Sequence, residues 1–291
     1  MTLCAGIVLM PTHYAADQRD VARLLEDDGW ESLFFPEHLH IPAERVSPFP
    51  LGTDLPKAYW HNLDPFAVMG ATASVTQRLR FGTSITLVAQ RDPILLAKTI
   101  ATLDVLSAGR IEVGVGAGWN VEEMVNHGVD PARRWAVVRE HVQAMQAIWS
   151  NDVASFKGEF VGFERICSWP KPVQKTGRGP GVPILIGGDG KHTVARIAGY
   201  GDGWLPVLDH DVDDFVARIR EIRAGLAERN VPMPPMTVAY GFGRRVRPGE
   251  LEKLAAEGVA RILLALDPLP YDETVRALAG LRSQVAPVLA R

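Results

Sequence analysis

The chain has 291 residues, 47% hydrophobic and 22% charged, with a formal net charge of −3. That balance suits a globular chain with a sizeable core and offers no basic face to nucleic acid or an anionic membrane. Cys4 and Cys167, far apart and without metal-ligating company, argue against a disulfide framework or a zinc site, and a reducing cytoplasm fits.

Short apolar, β-rich runs begin at Cys4 (CAGIVLM), Ser32 (SLFF), Arg80 (RFGTSIT) and Arg110 (RIEVGVG). After an interruption come runs from Val182 (VPILIGG), Gly203 (GWLPV), Met236 (MTVAYGF) and Arg261 (RILLALD). The first is too short, and lacks the basic lead-in, to read as a signal peptide; no run approaches the roughly 18 apolar residues of a membrane span. Between the runs lie segments of helical period: Trp135, Val138, Val142, Met145 and Ile148 in one, and Val212, Phe215, Val216, Ile219, Ile222 and Leu226 in another. Asp64, Asp92 and Asp130 each precede a proline, the pattern of a capping acceptor before the first helical position, and Gly109 follows LDVLSA as a helix stop. Eight strands alternating with helices predict an α/β fold, either a closed barrel or an open doubly wound sheet. Eight near-equal units favour a single (β/α)8 TIM barrel over residues 1–291.

Two stretches break the rhythm. Ile41 to Leu63, after the second strand, carries Tyr59, Trp60 and His61 among prolines and glycines. Residues 155–181, between the fourth and fifth strands, show no helical period and read as a hairpin or an active-site flap.

Four segments are candidates for chemistry. Ile184 to Thr193 (ILIGGDGKHT) puts Gly187, Gly188 and Gly190 between a buried strand and a helix start, where amide N–H groups can hold a phosphate; Lys191 could add a charge, and Asp189 reads as the helix cap. GVGAGWN, which ends at Trp119 and Asn120, follows the fourth strand, along which Glu112, Gly114 and Gly116 share one face. If that face is the lumen, Gly116 and Gly118 leave room for a planar ring or simply make a tight turn. FFPEHLH ends the second strand with Glu37 and His38 at the catalytic end of a barrel, where a histidine can exchange a proton during hydride transfer. Gly82, Thr83, Ser84 and Thr86 are small and hydroxylic in an otherwise apolar strand, as a polar heterocycle or ordinary β propensity would each explain.

Together, FFPEHL, FGTSITLVAQRDPILLAKTIATLDVLSAGRIEVGVGAGWN and VPILIGGDGKHTVARIAGYGDGWLP resemble the luciferase-like monooxygenase superfamily, in particular its coenzyme F420-dependent branch. The resemblance implies a barrel with a flavin or deazaflavin ring in its mouth, a cis Ser84–Ile85 peptide under the ring, and the cofactor phosphate at Gly187 and Gly188. It also matches His38 to the histidine that acts beside the ring in deazaflavin sugar-phosphate dehydrogenases, with Glu37 where those enzymes have Asp. Those enzymes place an acid after the glycine turn; this chain has Trp119, which cannot donate that proton. Trp119, Asn120, Tyr59 and Trp60 therefore read as a more apolar or aromatic substrate wall.

The expectation is hydride transfer between F420 and a small organic substrate, with His38 and Glu37 as catalytic groups. The cofactor contacts expected are Ser84, Ile85, Thr86, Gly116, Gly118, Gly187, Gly188 and Lys191, with no metal. The alternatives are an FMN-dependent monooxygenase served by a separate reductase, and a non-catalytic flavin-binding barrel. A homodimer is what the resemblance suggests.

Overall fold

The computed structural model describes residues 3–289 except 51 and 53. Eight strands lie parallel: β1 (Cys4–Leu9), β2 (Ser32–Phe35), β3 (Arg80–Leu87), β4 (Ile111–Gly116), β5 (Ile184–Gly187), β6 (Gly203–Leu205, continued by Val207–Leu208), β7 (Met236–Tyr240) and β8 (Val259–Leu266). Each pairs with the next, and β8 pairs with β1 from Cys4–Arg261 to Leu9–Leu266, which closes the ring. The fold is a (β/α)8 TIM barrel. The helices around it are α1 (Gln18–Asp27), α2 (Pro65–Ala73), α3 (Pro93–Leu106), α4 (Val121–Asn126), α5 (Arg134–Ser150), α6 (Thr193–Tyr200), α7 (Val212–Ala227), α8 (Glu250–Ala256) and α9 (Tyr271–Leu289). Among the described residues, no helix is long and apolar enough to cross a membrane.

Local chemistry sets the helix ends. Asp64 Oδ1 accepts from Phe66 N and Ala67 N at 2.9 and 3.0 Å, and Asp92 Oδ1 from Leu95 N at 2.8 Å, each before a proline at the first position. Asp130 differs from expectation. It accepts from Ala132 N, but residues 131–133 form a turn and α5 starts at Arg134. Gly109, at φ +82°, turns the chain out of α3 with its N–H on Asp104 O.

The excursion after α5 is a hairpin (Ala154–Lys157 with Gly162–Ile166) followed by a two-residue ribbon, Lys175–Thr176 with Gly179–Pro180. It is not an active-site flap. A helix-to-strand connection emerges at the N-terminal end of a parallel barrel, and Gln174 Nε2 there bonds Asp104 Oδ1 and Ile111 O, both at 2.7 Å.

Apolar residues fill two layers. The larger lies between strands and helices; the smaller, Val8, Phe34, Leu185, Leu205, Ala239 and Leu263, fills the lumen. Below it the lumen is plugged by charge. Arg261 bonds Glu112 at 2.8 and 3.0 Å and Glu31 at 2.6 and 2.7 Å, and Arg80 bonds Glu112 at 2.8 Å. Burial by itself would raise the Glu112 carboxyl, but Arg261 and Arg80 outweigh it and hold it at about 2.

Candidate active site

The mouth is built where β2, β3, β4 and β5 end. Phe35 pairs with Thr83 across β2 and β3, so His38 and the Ser84–Ile85 step leave the barrel from adjacent strands. The Ser84–Ile85 peptide is cis, and the pairing of β3 with β4 shifts register between Thr83 and Thr86.

Ile85 decides the shape of the lumen beneath the mouth. Glu112, Gly114 and Gly116 do face inward, yet the room at Gly116 is not open. A Cβ there would lie 2.7 and 2.9 Å from Ile85 side-chain carbons, and one at Gly187 would lie 2.8 Å from Ile85 Cγ2. Both glycines make space for Ile85, itself only partly buried, which forms a shelf facing the mouth. A planar ring would rest on Ile85 and not on the glycine face of β4. Gly118 has φ +78° and lies against Leu87, which fixes the turn into α4.

Thr86 is fully buried, and its hydroxyl bonds Thr83 Oγ1 at 2.8 Å; Thr83 Oγ1 in turn donates to Gly114 O at 2.9 Å. Thr86 thus spends its one hydroxyl hydrogen inside the strand and has none left to give a cofactor. In the turn after β5, Gly188 N–H goes to Leu205 O at 3.2 Å and Gly190 N–H to Thr193 Oγ1 at 3.0 Å. Neither is the phosphate donor expected of it. The amides of residues 189, 191 and 192 and the exposed Lys191 are the other donors of this turn. Asp189 does not cap α6; it is paired with Arg218 at 2.8 Å.

His38 is held on both ring nitrogens. Nδ1 lies 2.8 Å from Glu123 Oε2, and the Trp119 indole Nε1–H reaches Nε2 at 3.3 Å. The other Glu123 oxygen accepts from Leu39 N at 3.0 Å. Glu123 is not among the residues singled out in the sequence. Asn120 caps α4, its Oδ1 accepting from Glu123 N at 3.4 Å, while the Glu123 carboxylate goes to His38 and Leu39.

Glu37, expected as the second catalytic group, has both oxygens bound inside the protein. Oε2 accepts from Leu87 N at 2.7 Å, and Oε1 accepts from Arg91 Nε at 2.8 Å and from Arg91 Nη2. Arg91 also reaches Asp64 Oδ2 at 2.5 Å. Burial raises the Glu37 carboxyl against the pull of Arg91. The group ties β2, β3 and α2 together under His38.

Residues 45–49 fold against the start of α4 and the aromatic side chains around His38. Glu122 Oε1 accepts from Val46 N and Ser47 N at 2.8 and 3.1 Å, and buried Phe49 sets its ring 5.1 Å from Tyr59 and 5.7 Å from Trp119. Tyr59 lies 5.1 Å from the His38 ring, and burial pushes its phenol up to about 12, so it is a neutral donor. Its neighbour Trp60 does not join this wall: it is 60% exposed.

Polar atoms at the mouth fit a heterocycle. Asn120 Nδ2 and both ends of the Gln90 amide are buried with no hydrogen-bond partner, and the Gln90 amide nitrogen lies 3.7 Å from where a Gly118 Cβ would stand. A flavin or deazaflavin pyrimidine edge carries the donors and acceptors such amides need.

A closed eight-stranded barrel with a histidine and an aromatic wall over its C-terminal mouth has its candidate site where TIM-barrel enzymes carry theirs. The family model described as luciferase-like monooxygenase matches residues 5–283, and the chain belongs to that family. It is 37% identical over 286 residues to an uncharacterized protein of Mycobacterium tuberculosis, covering 97% of this chain and 98% of that one. It is 27% identical over 195 residues to an FMNH2-dependent dimethylsulfone monooxygenase of Pseudomonas fluorescens, covering 66% of this chain and 49% of that one. Among solved structures, coenzyme F420-dependent tetrahydromethanopterin reductase of Methanopyrus kandleri superposes with TM-score 0.70 at 16% identity, over 99% of both chains. That last likeness concerns the fold.

Proposed function

We propose that this barrel transfers a hydride between coenzyme F420 and a small organic molecule, with His38 as the proton-handling group. The observation that carries the reading is the position of His38, anchored through Nδ1 on Glu123 with Nε2 turned to the aromatic wall. A bound deazaflavin would supply the hydride acceptor or donor. The protein would seat it on Ile85, meet its polar edge with Gln90 and Asn120, and hold its phosphate with the amides of residues 189, 191 and 192 and with Lys191. Phe49, Tyr59 and Trp119 would exclude water and receive an apolar or aromatic substrate, and His38 Nε2 would take or return the proton. Glu37 positions β2 under His38 and touches no reactant in this scheme.

A second reading, an FMN-dependent monooxygenase with a separate reductase, is favoured by the dimethylsulfone monooxygenase relative. The Ile85 shelf and its polar neighbours suit either ring. Leu95 and Leu106, 65% and 72% exposed on α3, support a homodimer. The test is turnover under anaerobic conditions with F420 and a panel of small alcohols and their carbonyl products. Loss or recovery of the F420 absorbance, abolished in His38→Ala, supports the first reading; oxygen consumption with reduced FMN alone supports the second.

A further inference from the structure

The two bonds on His38 differ in kind. Glu123 is 1% exposed and pinned by Leu39 N, and as a carboxylate it can only accept, so Nδ1 must carry the hydrogen. An indole N–H can only donate, so Nε2 must be bare. At 3.3 Å the indole bond is longer than the usual 2.9–3.0 Å, whereas the Glu123 bond at 2.8 Å is short and charge-assisted. The indole itself is held as a wall by Phe49, by Tyr59 and by the Arg45 guanidinium 5.5 Å from its ring centre.

We propose that Glu123 fixes His38 as the Nδ1–H tautomer and that Trp119 covers its Nε2, so that a substrate must bring its own O–H or N–H to displace the indole. A carbonyl, ether or sulfone oxygen gains nothing from a bare imidazole nitrogen; a hydroxyl or amine hydrogen does. Glu123 and Trp119 are positioning residues, and the substrate class is a hydrogen-bond donor such as an alcohol. The substrate clause rests on the functional reading above; the tautomer does not.

Long-range proton–nitrogen spectra of protein labelled with 15N-histidine test the tautomer without turnover, with the His38 signals assigned by His38→Asn. The expected spectrum shows Nδ1 protonated and Nε2 bare in the wild type. In the double variant Glu123→Ala/Trp119→Phe, which removes the carboxylate acceptor and the indole donor together, the proton is expected to move to Nε2. A wild-type Nε2–H form overturns the proposal, and so does an unchanged tautomer in the double variant. Acylation of His38 by diethyl pyrocarbonate, read by mass spectrometry, tests the cover: Trp119→Phe is expected to react about threefold to tenfold faster, the worth of one lost hydrogen bond. An unchanged rate overturns it. Benzyl alcohol is expected to shift the Nε2 signal where its methyl ether does not; an equal response, or none from either, overturns the substrate clause. Failure to bind F420 or FMN would end the functional reading while leaving the tautomer result standing.

Discussion

The Ile85 side chain occupies the space that a Cβ on Gly187 would need: that atom would lie 2.8 Å from Ile85 Cγ2 and 2.8 Å from Val115 O. One contact is with backbone that cannot step aside. Gly187→Ala is therefore expected to lift Ile85 off its seat, cost about 1–3 kcal/mol of stability and weaken cofactor binding. Urea unfolding and a cofactor titration check both; a variant with wild-type values in each would remove Ile85 as the shelf.

Glu37 and Arg91 form a buried pair whose loss leaves a cation shared with Asp64 only. Glu37→Gln is expected to destabilise the fold by about 3 kcal/mol, because a buried charge loses its partner. Equilibrium unfolding measures this. Wild-type stability combined with lost turnover would instead return Glu37 to a catalytic role.

Glu112 ties acid stability to the barrel plug. Its folded carboxyl sits at about 2, below the ordinary value of about 4.3. A depressed carboxyl contributes stability above the unfolded value and loses it as pH falls through the folded one. Stability should decline between about pH 4.3 and 2, and Glu112→Gln should be less stable at neutral pH yet lose less across that window. Denaturation midpoints measured across that range check the sign. Parallel declines in the two proteins would contradict it.

Tyr59 and Trp60 are adjacent in a short 3-10 turn (Lys57–His61), which sends one ring to His38 and the other to solvent. Trp60→Ala is expected to change stability by less than about 0.5 kcal/mol and leave KM alone. Tyr59→Ala is expected to raise KM. Steady-state kinetics with a substrate identified as above would separate them, and a KM effect from Trp60 would place it in the pocket.

The barrel was legible because each strand announces itself through apolar runs and each βα junction through aspartate, proline or glycine. The mouth was legible in outline because FFPEHLH and the glycine turns end strands, and because the family resemblance implied the cis Ser84–Ile85 step inside β3. The partners were not. Glu123 meets His38 across 85 positions, and the sequence does not say which of the adjacent Glu122 and Glu123 turns inward. Gly116 reads as open space until Ile85 is seen filling it. The fate of a hydroxyl or an amide, such as Thr86 or Gly188, depends on which acceptor the fold brings near. The stretch after α5 reads in the sequence as a hairpin or a flap, and the hairpin is what forms; spacing alone does not reveal the end of the barrel from which a loop emerges.

The proposed seat of a deazaflavin on Ile85 is open to direct measurement. The direct measurement is titration of purified, cofactor-free protein with F420 and with FMN separately, followed by fluorescence or calorimetry, in the wild type and in Gly187→Ala. The account predicts saturable F420 binding that is tighter than FMN binding and weakened in the variant. Tight FMN binding with no binding of F420 would contradict it.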